Sequence, residues 1–302
     1  MREMFRRSLC ALVAFLLFSP VVAAAPAGGK AGYKNPALTP EVRARLLLKQ
    51  MTRAEKLGQL RAAIKNPAGT PRAAQFQFGN LTTMTNRFKG KEAAEAYNAI
   101  ERELLAASRL GIPALMHDEA VVGLKGNGAT AFPQPLAQAA TWNVELLSRA
   151  YAAIATETRA RGFRQVLSPN INITQDPRWG RSHETFGEDP WLVGTLGVIF
   201  IKEFESRGVA TTPKHFVANH GDQGRNAFPT SFVERFLREY HFPPFERAVR
   251  EAGATSLMVS YNTNDGIACS ADPWLTETLL RKPRLLRPEV HTVKPWPLSG
   301  RR

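Results

Sequence analysis

Short apolar segments alternate with helical segments along most of this chain, and that alternation limits the possible folds more than any other feature of the sequence. The predicted strands are 112–116, 166–173, 209–212 and 256–260, and the predicted helices are 144–161, 190–206 and 231–251. Because strand–helix–strand units form right-handed crossovers, this order predicts an α/β fold with a parallel sheet. Polar residues follow each strand, which favours a (β/α) barrel with its functional site at the carboxyl ends of the strands.

The number of predicted strands falls short of a closed barrel. Two weaker apolar segments, 78–84 and 136–140, bring the total to six, whereas a TIM-like (β/α)8 barrel has eight. Four prolines between residues 281 and 302 prevent that stretch from supplying a helix or a central strand. We therefore expect an incomplete (β/α)8 barrel that lacks its last strands. A doubly wound open sheet fits the same alternation, but no Gly-x-Gly-x-x-Gly follows a strand, which disfavours a dinucleotide site.

The two ends of the chain differ from its middle. Residues 1–25 combine Arg6 and Arg7 with an apolar stretch and small residues, which predicts a secretory signal peptide. This stretch is too short for a typical spanning helix, although an uncleaved leader would act as a membrane anchor. We expect a linker over 26–40, a barrel domain over 41–280 and an unpatterned basic tail over 281–302. The protein is expected to be secreted or periplasmic, with no stable membrane anchor after leader cleavage.

The formal net charge of +14 raises the question of a nucleic-acid partner. Residues 1–25 carry +2 and residues 281–302 carry +6, so the 255 residues between them carry only +6. They contain no dense basic block, and we therefore expect no nucleic-acid partner. Cys10 lies in the predicted leader, which leaves Cys269 as a single cysteine and excludes an intrachain disulfide or a cysteine-based zinc site.

Six histidines raise the question of a metal site. Three groups contain potential ligands: residues 117–119, residues 183–184, and the set of His215, His220 and Asp222. None has a ligand spacing of known specificity, such as His-Glu-x-x-His. We expect hydrogen-bonding roles for these residues, with no metal and no cofactor.

Residues 168–190 hold the densest group of polar and aromatic residues. Arg178 and Arg181 surround Trp179 in this stretch. Arginine presents a rigid fork of donors that suits paired hydroxyls or a carboxylate, and the tryptophan would supply an apolar face for a sugar ring. A structural ion-pair loop on a barrel rim would use the same residues, and spacing alone does not separate the two interpretations.

The segments 176–181 (DPRWGR) and 184–190 (ETFGEDP) resemble the hallmark stretch of glycoside hydrolase family 3, which contains β-glucosidases and β-xylosidases. Further segments resemble the family in the same order: 132–135 with 141–142, 214–216, 224–226, 238–245 and 260–262. The resemblance covers about residues 40–280. Several long motifs in one order are a far more specific signal than one short pattern.

The resemblance implies hydrolysis of terminal β-linked sugars from a small oligosaccharide or β-glycoside, with retention, through a covalent intermediate. Such chemistry needs two carboxyl groups about 5–5.5 Å apart. The resemblance also implies that Glu119, Arg181, Lys214 and His215 bind the sugar in subsite −1. Tyr261 matches an aromatic residue near the nucleophile. These residue types suit sugar hydroxyls, because lysine, arginine and histidine donate to them and a carboxylate accepts from them.

The sequence departs from the family where catalysis is expected. Residues 121–123 lack the usual histidine, and no Ser-Asp-Trp or Ser-Asp-Tyr follows the segment 274–280. Neither the nucleophile nor the acid/base residue is identified, so we expect impaired activity, caused by a frameshift or a premature stop near residue 280. The alternative is a non-catalytic carbohydrate-binding remnant. A sheet without its last strands would expose unpaired edges, which predicts marginal stability.

Three aspartates are conceivable substitutes for the missing carboxylates. Asp176 precedes a proline and is better explained as a turn-forming residue. Asp118 is adjacent to Glu119 and is expected to face away from the pocket. Asp222 has no such local explanation. The sequence therefore assigns none of them a catalytic role.

Overall fold

The computed structural model describes residues 32–64, 78–82, 85–222 and 229–280. The predicted signal peptide, the basic tail and segment 224–226 lie outside the described residues. The helices are α1 (Pro40–Gln50), α2 (Arg53–Gln59), α3 (Gly90–Ala107), α4 (Pro135–Ala139), α5 (Val144–Ala160), α6 (Pro190–Glu205), α7 (Glu234–Phe236) and α8 (Pro243–Arg250). The strands are β1 (Ala62–Ile64), β2 (Asn80–Thr82), β3 (Leu115–Asp118), β4 (Gln165–Val166), β5 (Ala210–Thr211), β6 (Lys214–Phe216), β7 (Met258–Val259), β8 (Thr263–Asn264) and β9 (Ile267–Ala268). Among these helices, none has the length and apolar character needed to cross a bilayer.

The sheet is parallel and follows the order of the chain. Strands β1 to β5 pair in sequence, and β6 pairs with β7 in the same parallel sense. A bridge between Asn170 and Lys214 joins the two sets, and β6 follows β5 after two residues. Six strand positions therefore lie side by side, as the incomplete (β/α)8 barrel predicts. Within the described residues, β1 and β7 are each paired on one side only.

Three of the predicted strands differ clearly in the structure. The one predicted over 166–173 forms a strand only at Gln165–Val166, with an isolated bridge at Asn170. The segment 136–140 belongs to helix α4, which begins at Pro135, and β1 supplies the sixth strand instead. Proline suits the first turn of a helix, where its missing N–H is not needed. The strand predicted at 112–116 lies at Leu115–Asp118, because Pro113 cannot donate to a sheet ladder. His117 and Asp118 are therefore part of β3 rather than of the loop after it.

Most predicted helices form where the sequence places them. Thr39 caps α1, and Thr52 with Glu55 forms the capping box that the Thr-x-x-Glu spacing of 52–55 indicates for α2. Helices α5 and α6 match their predicted bounds to within one residue. The helix predicted over 231–251 is divided instead into α7, a π-helical turn at Leu237–His241 and α8. The division occurs because the two prolines that open α8 have no N–H to continue the helical ladder.

The core is concentrated on the side of α6. This helix packs between α5 and α8 and covers the strands β4 to β6. Its Gly197 lies directly over Ile171, and a Cβ atom there would come within 2.8 Å of the Ile171 Cγ2 atom. The close approach fixes the segment after β4, which carries the polar residues described next.

Candidate functional site

Four of the five residues predicted to bind a substrate meet at the carboxyl ends of the parallel strands. Glu119 follows β3, and Lys214 and His215 belong to β6. Arg181 lies in the loop that connects β4 to α6. Since the carboxyl ends of neighbouring parallel strands share one edge of the sheet, this arrangement follows from the topology.

Lys214 and Glu119 form the central ion pair of the site. The Lys214 Nζ atom lies 2.7 Å from Glu119 Oε1, and the lysine side chain is 3% exposed, whereas that of the glutamate is 37% exposed. The Ser168 hydroxyl donates to the other Glu119 oxygen at 3.3 Å and accepts from the backbone N–H of Ala120 at 3.2 Å. One oxygen of Glu119 therefore neutralises a buried cation, while the carboxylate remains accessible to a ligand.

Arg181 connects His215 to a second carboxylate. Its Nη1 atom lies 2.9 Å from His215 Nε2, and its other two nitrogens donate to the two oxygens of Glu184 at 2.9 and 2.5 Å. Burial raises the pKa of Glu184, but the hydrogen bonds and charge of Arg181, with the charge of Lys214, outweigh burial and lower the pKa overall. Glu184 is therefore ionised at neutral pH and serves as an acceptor.

Asn172 holds the other side of the His215 ring. Its Oδ1 atom lies 2.7 Å from the backbone nitrogen of His215 and 3.0 Å from Nδ1, and its Nδ2 atom donates to the His215 carbonyl at 2.9 Å. The Thr185 hydroxyl donates in turn to the carbonyl of Asn172. The imidazole is thus held on both edges.

Asp118 is buried beneath the site. Its carboxylate accepts from the Asn86 side chain at 2.7 Å and from the backbone N–H of Glu119 at 2.7 Å. These bonds fix the turn at which Glu119 leaves β3. Asp118 therefore positions Glu119 through the backbone.

Tyr261, the fifth predicted residue, lies just beyond β7. Its side chain is 74% exposed. Within the described residues, no hydrogen bond or ion pair joins it to the other four. The proposed role of this aromatic ring near a nucleophile stays a prediction.

The structure decides between the two interpretations of Trp179. Its side chain is 1% exposed and its indole N–H donates to Asn219 at 3.1 Å, so it offers no face to a sugar ring. Asp176 caps the 3₁₀ turn Pro177–Trp179 and pairs with Arg178, which confirms its turn-forming role. Residues 176–179 of the hallmark stretch are therefore structural, whereas Arg181 and Glu184, which come later in the stretch, reach the site.

The sequence interpretation missed Glu184, Ser168 and Asn172. Glu184 is in the hallmark stretch, but its spacing from Arg181 does not reveal a pair. Asn172 does carry a signal, because the alternation of 170–173 (NINI) places its two asparagines on one face of an extended segment. Over the part of the chain that the structure describes, no three His, Cys, Asp or Glu side chains are grouped so as to hold a metal ion.

Comparisons with known proteins agree with this fold. The model of the glycosyl hydrolase family 3 N-terminal domain matches residues 52–284. A β-glucosidase from Rhizobium radiobacter is 37% identical over 185 residues, which is 59% of this chain and 23% of the relative. The chain spans about a quarter of the length of the first curated relatives that it matches.

Solved structures of similar proteins show the same architecture. A β-glucosidase from Erythrobacter marinus matches with a TM-score of 0.76 at 32% identity, over 84% of this chain and 36% of the other. A β-glucosidase from Listeria innocua, solved in complex with glucose, matches with a TM-score of 0.70 at 26% identity, over 81% of this chain and 36% of the other.

Proposed function

The chain belongs to glycoside hydrolase family 3, and we propose that its site binds the terminal sugar of a β-glucoside or β-xyloside. The observation that carries the proposal is the joined cluster of Glu119, Lys214, His215 and Arg181 at one edge of the sheet. Sugar hydroxyls both donate and accept, so a cluster in which donors and acceptors alternate suits several of them at once. The Listeria innocua relative, solved with glucose, supports a sugar of this kind.

In the proposed reaction, the sugar is cleaved from its aglycone with retention. That chemistry needs one carboxylate to attack the anomeric carbon and one carboxylic acid to protonate the leaving oxygen. Glu119 and Glu184 are both ion-paired, and the lowered pKa of Glu184 makes it a poor proton donor at neutral pH. We therefore assign both residues to binding and infer that these two carboxylates do not carry out hydrolysis.

The same ion pairs favour a second candidate function, namely sugar binding without turnover. Glu119 and Glu184 are each paired with a cation, so these two carboxylates can hold hydroxyls but neither is a free nucleophile. For both functions we propose export through the leader predicted at residues 1–25, which a periplasmic fractionation of the expressed protein would test.

The experiment measures binding and turnover on the same protein. Titration calorimetry with glucose and with xylose reports binding, and release of nitrophenol from nitrophenyl β-glucoside and β-xyloside reports turnover. We expect Lys214→Met to weaken sugar binding by at least about tenfold, because the buried donor is lost. Lys202→Met, on the exposed face of α6, is the matched control and should bind as the unaltered protein does.

The outcomes separate the two functions. Binding together with turnover supports the hydrolase, and binding without turnover supports the binding protein. If neither sugar binds, or if Lys214→Met binds as tightly as the unaltered chain, the proposed site is wrong.

A further inference from the structure

We propose that Asn172 is a positioning residue that holds His215 as a neutral imidazole with its proton on Nδ1, so that Nε2 is a hydrogen-bond acceptor at the sugar site. The inference rests on the proposed function for its consequence, but the protonation state itself follows from the geometry of two residues. Neither Asn172 nor the tautomer of His215 was implied by the sequence motifs.

The backbone of His215 fixes the orientation of the Asn172 amide. A backbone N–H only donates and a carbonyl only accepts, so the asparagine atom 2.7 Å from the His215 nitrogen is the oxygen, and the atom 2.9 Å from the His215 carbonyl is the nitrogen. The same Oδ1 atom lies 3.0 Å from His215 Nδ1. Because an amide oxygen cannot donate, Nδ1 must carry the proton.

The contact at the opposite edge of the His215 ring independently indicates the same protonation state. The Arg181 guanidinium lies 2.9 Å from His215 Nε2 and has only donors. A ring nitrogen that receives this hydrogen bond must present a lone pair. Since Nδ1 is protonated and Nε2 is not, His215 is neutral, and a proton on Nε2 would point directly at a cation.

Asn172 is itself held rigidly enough to impose this state. Asn172 is only 2% exposed, and its backbone N–H donates to the Asn170 side chain at 3.1 Å. Between them, the Ile171 N–H donates to the carbonyl of Lys214 at 2.9 Å, which ties the segment to β6. The amide therefore cannot rotate without breaking bonds in the buried strand region.

The fixed tautomer defines which groups a bound sugar meets. Glu119 and His215 Nε2 accept, while Lys214 and Arg181 donate. A hydroxyl placed between Arg181 and His215 can accept from the guanidinium and donate to the imidazole, and so replace their direct contact. A ligand group that only donates, or only accepts, can hydrogen-bond to only one of Arg181 and His215, and it leaves the other without a partner.

The first measurement is the tautomer of His215 in the intact chain, from long-range proton–nitrogen NMR correlations of the imidazole nitrogens near neutral pH. Loss of one signal set in His215→Gln assigns the residue. We expect a protonated Nδ1 and an unprotonated Nε2. A protonated Nε2 in the unaltered protein overturns the proposal without any need for a variant at Asn172.

The second measurement uses Asn172→Ala and Asn172→Asp. In the alanine variant Arg181 still favours the Nδ1 tautomer but Asn172 no longer does, so a measurable fraction of the Nε2 tautomer should appear beside it. The aspartate variant should raise the pKa of His215, because a carboxylate at this position stabilises the cation even though Arg181 opposes it. Asn127→Asp, an exposed asparagine whose side chain bonds only the Arg87 carbonyl among the described residues, is the control and should leave His215 unchanged. An unchanged His215 in both Asn172 variants overturns the proposal.

Sugar binding then tests the consequence separately. We expect glucose binding to weaken by about tenfold in both Asn172 variants. If the tautomer behaves as expected but the unaltered protein does not bind glucose or xylose, the positioning role stands and the proposed function fails. If sugar binds and the variants bind it equally well with an altered tautomer, the positioning role at the sugar site is wrong.

Discussion

Lys214 is buried, and Glu119 lies 2.7 Å from its Nζ atom. The two residues are 95 positions apart in the chain, so their pairing depends on the sheet that brings β3 and β6 to one edge. A buried cation without its partner would cost several kcal/mol, which makes the pair sensitive to loss of either side chain. The partial exposure of Glu119 is what leaves this pair open to a ligand.

His241 is a buried histidine that makes the stability of the fold depend on pH. It is buried among the rings of Phe232, Phe236 and Tyr240, with the His220 ring centroid 5.8 Å away. Burial, followed by the charge of His220, lowers the pKa of His241 to about 3. Burial also lowers the pKa of His220, although Asp176 opposes the shift. The unfolded chain returns His241 to its usual pKa of about 6.5.

The sign follows from proton binding. Between about pH 6.5 and pH 3 the unfolded chain binds a proton at His241 that the folded chain does not, so acid destabilises the fold by up to about 1.4 kcal/mol per pH unit. We expect His241→Phe to reduce the loss of unfolding free energy between pH 7 and pH 4, measured by urea denaturation. His183→Phe, at an exposed position, is the control. Equal pH dependence in the unaltered protein and His241→Phe would contradict the prediction.

Two glycines of helix α6, Gly194 and Gly197, face different surroundings. A Cβ at Gly197 would lie 2.8 Å from the branched side chain of Ile171, which is fully buried. A Cβ at Gly194 would meet mainly the flexible end of the Arg247 side chain, at 3.1 and 3.2 Å. Alanine improves the helix propensity at both positions by roughly the same amount, about 1 kcal/mol.

We expect Gly197→Ala to lower the unfolding free energy by about 1–3 kcal/mol, because Ile171 cannot retreat in a packed core. Gly194→Ala should cost less than Gly197→Ala, because the Arg247 side chain needs to shift by only a few tenths of an ångström, although its bonds to Thr195 and Glu251 resist that shift. Urea denaturation of both variants provides the comparison. Equal unfolding free energies of the two variants would show that Ile171 can shift at little energetic cost. Since Ile171 precedes Asn172, the first variant should also disturb the His215 signals.

The predicted helix 231–251 is divided because of its two prolines. Its apolar spacing is helical throughout, but Pro243 and Pro244 withdraw two donors from the ladder. The chain responds with a π-helical turn at Leu237–His241 before α8 begins. That turn buries His241, so the pH-sensitive residue is a product of the broken helix.

The whole molecule has two apolar clusters of very different size within the described residues. The larger contains thirty buried side chains and is centred on α5, α6 and α8, and the smaller contains six, among them Leu81, Leu104 and Phe163. Regions with fewer buried apolar contacts open at a lower free energy cost. The amino-terminal part of the sheet, with β2 and α3, is therefore expected to be the less stable part of the fold.

Native-state hydrogen exchange tests this expectation. Backbone amides in the middle of α6 should exchange most slowly, and those in the middle of α3 should exchange at least about tenfold faster. Leu104→Ala should accelerate exchange in α3 and leave α6 nearly unchanged, whereas Leu196→Ala should accelerate both. Uniform exchange across α3 and α6 would show that the two clusters unfold as one unit.

Short-range sequence patterns predict the features that depend on neighbouring residues. The Thr39 and Thr52 caps, the bounds of α5 and α6, the parallel order of the strands and the family motif all rest on short-range spacing. Contacts between distant segments determine which polar groups meet. They bury Trp179, and they join both Arg181 and Asn172 to the His215 ring. These outcomes depend on contacts between distant segments, and local periodicity carries no information about them.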